Sequence, residues 1–155
     1  MASDPEKRIE ELHLTLPPAP KAVAVYKTAI QVGNLLFVSG HGPLKPDKTM
    51  IPGRLGKDMT LDQGKEAAKV TALAILATVK DTLGSLNKVK RLVKSFGMVN
   101  CTDDFADQPK VINGYSELMK DVFGDDAGVG ARSAVGHNSL PGNIAVEIEC
   151  IFEVA

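Results

Sequence analysis

The stretch Ala145-Val146-Glu147-Ile148-Glu149-Cys150-Ile151-Phe152-Glu153-Val154 decides the fold. Its alternation has the period of a half-buried strand: Val146, Ile148, Cys150, Phe152 and Val154 share one side, and Glu147, Glu149, Ile151 and Glu153 the other. The apolar side needs a layer of helices to cover it. A carboxylate on the other side is either an ordinary solvated strand charge or, once that side is covered, a partly desolvated group able to place or activate a water.

Upstream, Leu140-Pro141-Gly142-Asn143 reads as a turn joining this strand to another over Ser133 to His137. Before that, Val111, Ile112, Tyr115, Leu118, Met119, Val122 and Phe123 form the apolar stripe of a helix that Asp107 can cap and Gly124 can end, with Pro109 tolerated in its first turn. A longer helix begins at the capping box Thr60/Gln63, repeats apolar residues from Leu61 to Leu83, and stops at Gly84. Between the two helices, Lys88 to Asn100 reads as a strand with Leu92, Phe96 and Met98 on one face and Val89, Val93 and Val99 on the other. Both faces carry apolar residues, so two helices cannot cover everything, and another subunit is the economical cover for the far side.

Toward the N-terminus, Gly33-Asn34 is a hairpin turn between a strand over Ala22 to Val32 and one over Leu35 to Val38, which ends at Ser39-Gly40-His41. Pro43 to Met59, rich in Gly, Pro and Lys, reads as a long loop with no core of its own. Ser3 or Asp4 can cap a short helix from Pro5 to about His13, which Pro17-Pro18 prevents from continuing. Strands and helices are segregated. That order is α+β: a mostly antiparallel sheet with two main helices on one face, in one domain over residues 1–155.

Composition narrows the function. With 155 residues, 44% hydrophobic and 24% charged, the chain is globular; its formal net charge of −1 with no like-charge block argues against a nucleic-acid or membrane surface. No apolar signal core or long apolar run occurs, so an unexported, cytoplasmic protein is expected. Cys101 and Cys150 have no metal spacing and read as reduced core residues, and His13, His41 and His137 share no ligand spacing, so no metal is expected. Arg132 opens a strand directly after a glycine-bearing loop, where a planar guanidinium can grip a carboxylate through two parallel hydrogen bonds or simply form a weak surface ion pair.

The residues Val25-Tyr26, Gly33-Asn34-Leu35-Leu36-Phe37-Val38-Ser39-Gly40, Asn113, Ala131-Arg132-Ser133-Ala134-Val135, Leu140-Pro141 and Val146-Glu147-Ile148-Glu149 together resemble the RidA family, also called the YjgF or reactive-intermediate deaminase family. The resemblance runs from about Val23 to the C-terminus, and its most specific parts are Ala-Arg-Ser and Glu-Ile-Glu. It implies a chorismate-mutase-like fold assembled as a homotrimer with ligand sites between subunits. It also implies cofactor-free hydrolysis of enamine and imine intermediates such as 2-aminoacrylate or 2-iminobutanoate to the 2-keto acid and ammonia. On this resemblance Arg132 binds the substrate carboxylate and Glu147 orients the attacking water. Tyr26, Ser39 and Asn113 line the cleft, and Gly40 and Ala134 contribute backbone groups. Such chemistry needs no covalent nucleophile, consistent with the lack of any Ser-His-Asp or Cys-His pattern. Two other roles follow from the same resemblance: a non-catalytic trimer that holds small carboxylates, and a translation-inhibiting ribonuclease, which the charge balance and the 5% aromatic content disfavour. Ala24-Val25 replaces the usual Gly-Pro before the tyrosine, His41 a common glutamine, Gly130 a frequent proline and Ala134 a frequent cysteine. All of these surround the expected cleft.

Overall fold

The computed structural model describes residues 3–155. Helix α1 (Pro5–Glu11) is capped by Asp4, whose carboxylate accepts from the Lys7 amide at 3.0 Å, and it ends two residues before the expected His13. Glu6 ties it down, accepting from Lys80 Nζ at 2.7 Å and from the Leu86 amide at 2.8 Å. Strands β1 (Ala29–Val32) and β2 (Leu35–His41) form the expected hairpin. β1 is far shorter than the sequence pattern suggests, because residues 22–28 have no ladder partner and leave Val23 and Val25 exposed.

Helix α2 (Leu61–Leu83) has both hydrogen bonds of its capping box, and Gly84 ends it at φ +83°, a left-handed conformation suited to glycine. Strand β3 (Val89–Asn100) follows a short 3-10 turn. Helix α3 (Gln108–Phe123) begins after Asp107, which makes no side-chain cap and instead pairs with Lys110 at 3.2 Å. Strands β4 (Ala131–His137) and β5 (Val146–Val154) complete a five-stranded sheet in the order β1-β2-β5-β3-β4.

Two expectations about the sheet need correction. β4 and β5 follow one another in sequence but are not neighbours: β5 inserts antiparallel between β2 and β3, while β4 runs parallel to β3 at the edge. The strand with apolar residues on one whole side takes the buried centre, and the short strand takes the edge. The faces of β3 also differ from strict alternation. Register shifts between Val89 and Arg91 and between Leu92 and Lys94 put Leu92 on the helix side with Val89 and Val99, opposite Phe96 and Met98.

The core lies between the sheet and helices α2 and α3, around Ile75, Ile112, Tyr115, Phe123, Ile148 and Phe152. Residues 43–59 do contribute to it: Leu55 is fully buried, and Arg54 donates from Nη2 to the Cys101 carbonyl at 2.7 Å. Both cysteines are buried and unpaired, and burial pushes the Cys150 thiol up to about 12. On the far face, Leu140 and Ile144 cover Met98, but Ile30, Val32 and Phe37 stay exposed. Among the described residues no helix is long and apolar enough to cross a membrane, and no cluster of three metal-ligating side chains occurs.

Candidate functional site

Arg132 lies opposite Ser95 in the parallel β3–β4 register. Ser95 is buried toward the helices, sharing a 2.8 Å hydrogen bond with the Tyr115 hydroxyl, and register partners project to the same side of a sheet. Arg132 therefore reaches over α3, where its Nη1 donates to Asn113 Oδ1 at 2.8 Å and to Ser116 Oγ at 3.1 Å. Leu92, Ser95, Ser116, Gly128, Val129, Gly130 and Arg132 line a cavity of about 140 Å3 beside it. Ala134, two residues along, packs against the core on that side. Among the described residues no carboxylate pairs with Arg132.

Glu147 belongs to the other side. It lies opposite Met98 on β5, and its carboxylate rests against Gly40: a Cβ at position 40 would stand 2.7 Å from Glu147 Oε2. Only a residue without a side chain admits this approach. Gly40 sits where the β2–β5 register slips between Val38 and His41. This bulge is fastened on both flanks. Ser39 donates from its hydroxyl to the Lys27 carbonyl at 2.6 Å and from its amide to the Thr28 carbonyl at 2.9 Å. His41 contacts the Ser39 carbonyl through Nδ1 at 2.5 Å and Thr78 Oγ1 through Nε2 at 2.7 Å. Burial holds the His41 imidazole below its ordinary range, which favours the neutral ring with Nδ1 donating and Nε2 accepting. Tyr26, half-exposed, lines a cavity of about 130 Å3 with Gly40 and His41.

Burial, reinforced by the neighbouring Glu149 charge, raises the Glu147 carboxyl above its usual range, while His137 pulls the other way. A carboxylate tuned upward is a better proton acceptor near neutral pH than a solvated one.

The expected residues thus form two groups, not one. Arg132, Asn113 and Ala134 lie on the helix side at the β4 edge; Glu147, Gly40, Ser39 and Tyr26 gather around the β2 bulge. Within one chain Arg132 and Glu147 are on opposite sides of the sheet, three register positions apart along β3, so a single chain does not bring them together. A larger cavity of about 360 Å3 on the far face, lined by Ile30, Phe37, Lys94, Phe96 and Ile151 among others, contains only Ser39 of the expected residues. Sequence reasoning missed Ser116, although its spacing of three from Asn113 puts both on one helix face. It also missed the His41–Thr78 contact, which no local spacing signals.

Residues 6–152 match the family described as "YjgF/chorismate_mutase-like, putative endoribonuclease". The chain belongs to the YjgF family. One YjgF relative, Protein TCP17 of Trypanosoma cruzi, is 36% identical over 94% of this chain and 91% of its own length. The crystal structure of Atu1372 from Agrobacterium tumefaciens, described as having unknown function, superimposes with a TM-score of 0.89 at 41% identity, over 97% of this chain and 92% of that one. A Dermatophagoides farinae protein named 2-iminobutanoate/2-iminopropanoate deaminase is 28% identical over 91% of this chain and 94% of its own. Membership confirms the α+β fold read from the element order and the YjgF type that the resemblance implies.

Proposed function

We propose that this protein is a cofactor-free hydrolase that converts short-chain enamine and imine acids of the 2-aminoacrylate and 2-iminobutanoate type into 2-keto acids and ammonia. In this reading the site is completed between copies of the chain in a homotrimer. The observation that carries the reading is the state of Arg132: among the described residues its guanidinium is held only by the neutral acceptors Asn113 and Ser116, so its charge remains available to an anion. The similarity to a relative named as an iminobutanoate deaminase supports the choice of substrate class. The exposed apolar residues Ile30, Val32 and Phe37 support burial of the far face by another copy, which can bring a Glu147 half to an Arg132 half.

Arg132 grips the substrate carboxylate and fixes the imine carbon, and Glu147 on the neighbouring copy holds a water against it. The water oxygen adds to the carbon of the N-protonated imine while its proton passes to the Glu147 carboxylate, and the C=N π pair moves to nitrogen. Glu147 returns the proton to the nitrogen of the resulting carbinolamine. The C–N bond then breaks, ammonia leaves with that electron pair, and loss of the hydroxyl proton forms the keto group. An enamine enters the same sequence after protonation at its terminal carbon.

The test is to generate 2-iminobutanoate in situ and follow release of 2-ketobutanoate with and without the protein. Acceleration by wild type that disappears in Arg132→Ala supports the reading. Equal rates with wild type, variant and no protein refute it for this substrate class. A Glu147→Gln variant that still binds 2-ketobutanoate but does not turn over the imine assigns catalysis rather than mere carboxylate storage.

A further inference from the structure

Arginine has five N–H donors in one plane, one on Nε and two on each Nη. Arg132 Nη1, which carries two hydrogens, donates to two acceptors, Asn113 Oδ1 at 2.8 Å and Ser116 Oγ at 3.1 Å. These acceptors come from consecutive turns of α3, three residues apart, on a helix anchored in the core by Val111, Ile112, Tyr115 and Met119. One rigid element therefore fixes the guanidinium plane at two points, on a side chain that the exposed edge strand would otherwise leave free to change rotamer.

A guanidinium can offer a carboxylate two forks: end-on through Nη1 and Nη2, or side-on through Nε and Nη2. Nη1 already donates to two acceptors, so an end-on carboxylate would have to displace one of them. Among the described residues Nε and Nη2 have no acceptor, so the second stays open. We infer that Ser116 is a positioning residue that, with Asn113, commits Arg132 to bind a 2-keto or 2-imino acid carboxylate side-on through its Nε–Nη2 edge. This rests on Arg132 being the carboxylate anchor and adds how the anchor is aimed. The neutral hydroxyl matters too, because a carboxylate at position 116 would pair with the guanidinium and compete with the substrate.

The test uses the full-length protein, with 2-ketobutanoate as the ligand in calorimetry and 2-iminobutanoate as the substrate in kinetics. Ser116 is half-buried on a helix surface, so its substitution leaves the core intact. Ser116→Ala is expected to weaken 2-ketobutanoate binding and raise KM about 3- to 10-fold, the net worth of one ordinary hydrogen bond, with kcat changed less than about twofold. Ser116→Thr restores the hydroxyl and the wild-type KM, whereas Ser116→Asp raises KM at least as much as Arg132→Ala. The edge is read by NMR: the Arg132 Nε–H signal, assigned by its loss in Arg132→Ala, moves and gains exchange protection when 2-ketobutanoate is added. Wild-type affinity in Ser116→Ala, failure of Ser116→Thr to restore it, or an unmoved Nε–H signal in a saturated sample would overturn the inference and leave the hydrolase reading standing. If wild type neither binds 2-ketobutanoate nor speeds imine hydrolysis, both fall together.

Discussion

The Arg132 group and the Glu147 group solve opposite electrostatic problems. Arg132 stands on an edge strand, exposed, with its plane fixed by two neutral side chains of α3 and no carboxylate partner among the described residues. Glu147 stands on a central strand, half-buried against the bare backbone of Gly40, with burial and Glu149 both working against ionisation. A binding cation must keep its charge available, so polar positioning without neutralisation suits it. A proton-transferring carboxylate gains from partial desolvation, which brings its proton affinity closer to the working pH. The sheet separates them, so under the proposed mechanism neither group alone is a complete site.

The largest effects come from removing the charged member of each group. Arg132→Ala should lower kcat/KM for 2-iminobutanoate about 100-fold or more, since two charge-assisted hydrogen bonds at roughly 1.5–3 kcal/mol each are lost. Glu147→Gln should lower kcat by about 100- to 10,000-fold while leaving 2-ketobutanoate affinity within a fewfold of wild type. If both variants show the same loss of affinity and no separate loss of kcat, the division of labour is wrong.

Co-expression of these two variants tests the division more directly. If each site takes Arg132 from one copy and Glu147 from the next, random mixed trimers in equal proportion regain about a quarter of the wild-type sites. A mixture no more active than the separate variants would place both residues in one chain's site, and a monomer by mass measurement in solution would remove the shared site altogether.

A smaller effect sharpens the Glu147 half. Gly40→Ala puts a methyl group 2.7 Å from Glu147 Oε2, so the carboxylate must move. The expected result is a roughly tenfold drop in kcat with little change in KM, as for misplacement of a catalytic group. Equal losses in both would indicate that Gly40 serves binding instead.

The smallest effects are in pH dependence. In the proposed mechanism Glu147 acts as a base only when ionised, and its carboxyl lies above the usual range, so kcat should fall on the acid side sooner than an ordinary glutamate would dictate. Glu149→Gln removes a repelling charge and should move that acid limb to lower pH; His137→Ala removes an opposing influence and should move it slightly higher. The linkage to stability has the opposite sign from a paired carboxylate. A folded-state value raised above the unfolded one means the folded protein binds the proton more tightly, so stability increases as pH falls through the raised value. Glu147→Gln should therefore raise Tm near neutral pH, by an amount that shrinks in acid. An unchanged Tm across this range would show that Glu147 is not strained in the native protein.

Much of this was legible in the sequence because it depends on local periods. The β5 alternation fixed which residues face the helices, the Thr60/Gln63 box and Gly84 bounded α2, and the Ala-Arg-Ser and Glu-Ile-Glu segments named the family. Misreadings arose where a partner decides. Residues 22–28 have strand-like composition but no ladder, and Leu92 changed faces because the β3–β5 register slips. Hydrogen-bond register is a property of two strands, so one strand's pattern cannot reveal it.

By itself the sequence determined an α+β chain, the boundaries of its two main helices, and an arginine and a glutamate as the groups to watch. Tertiary structure alone decided that they face opposite ways. Inserting β5 between β2 and β3 places Glu147 over the Gly40 bulge, and parallel pairing of β4 with β3 turns Arg132 toward α3. The side on which a strand residue emerges follows from pairing register, and pairing is settled only when the whole sheet packs against its helices.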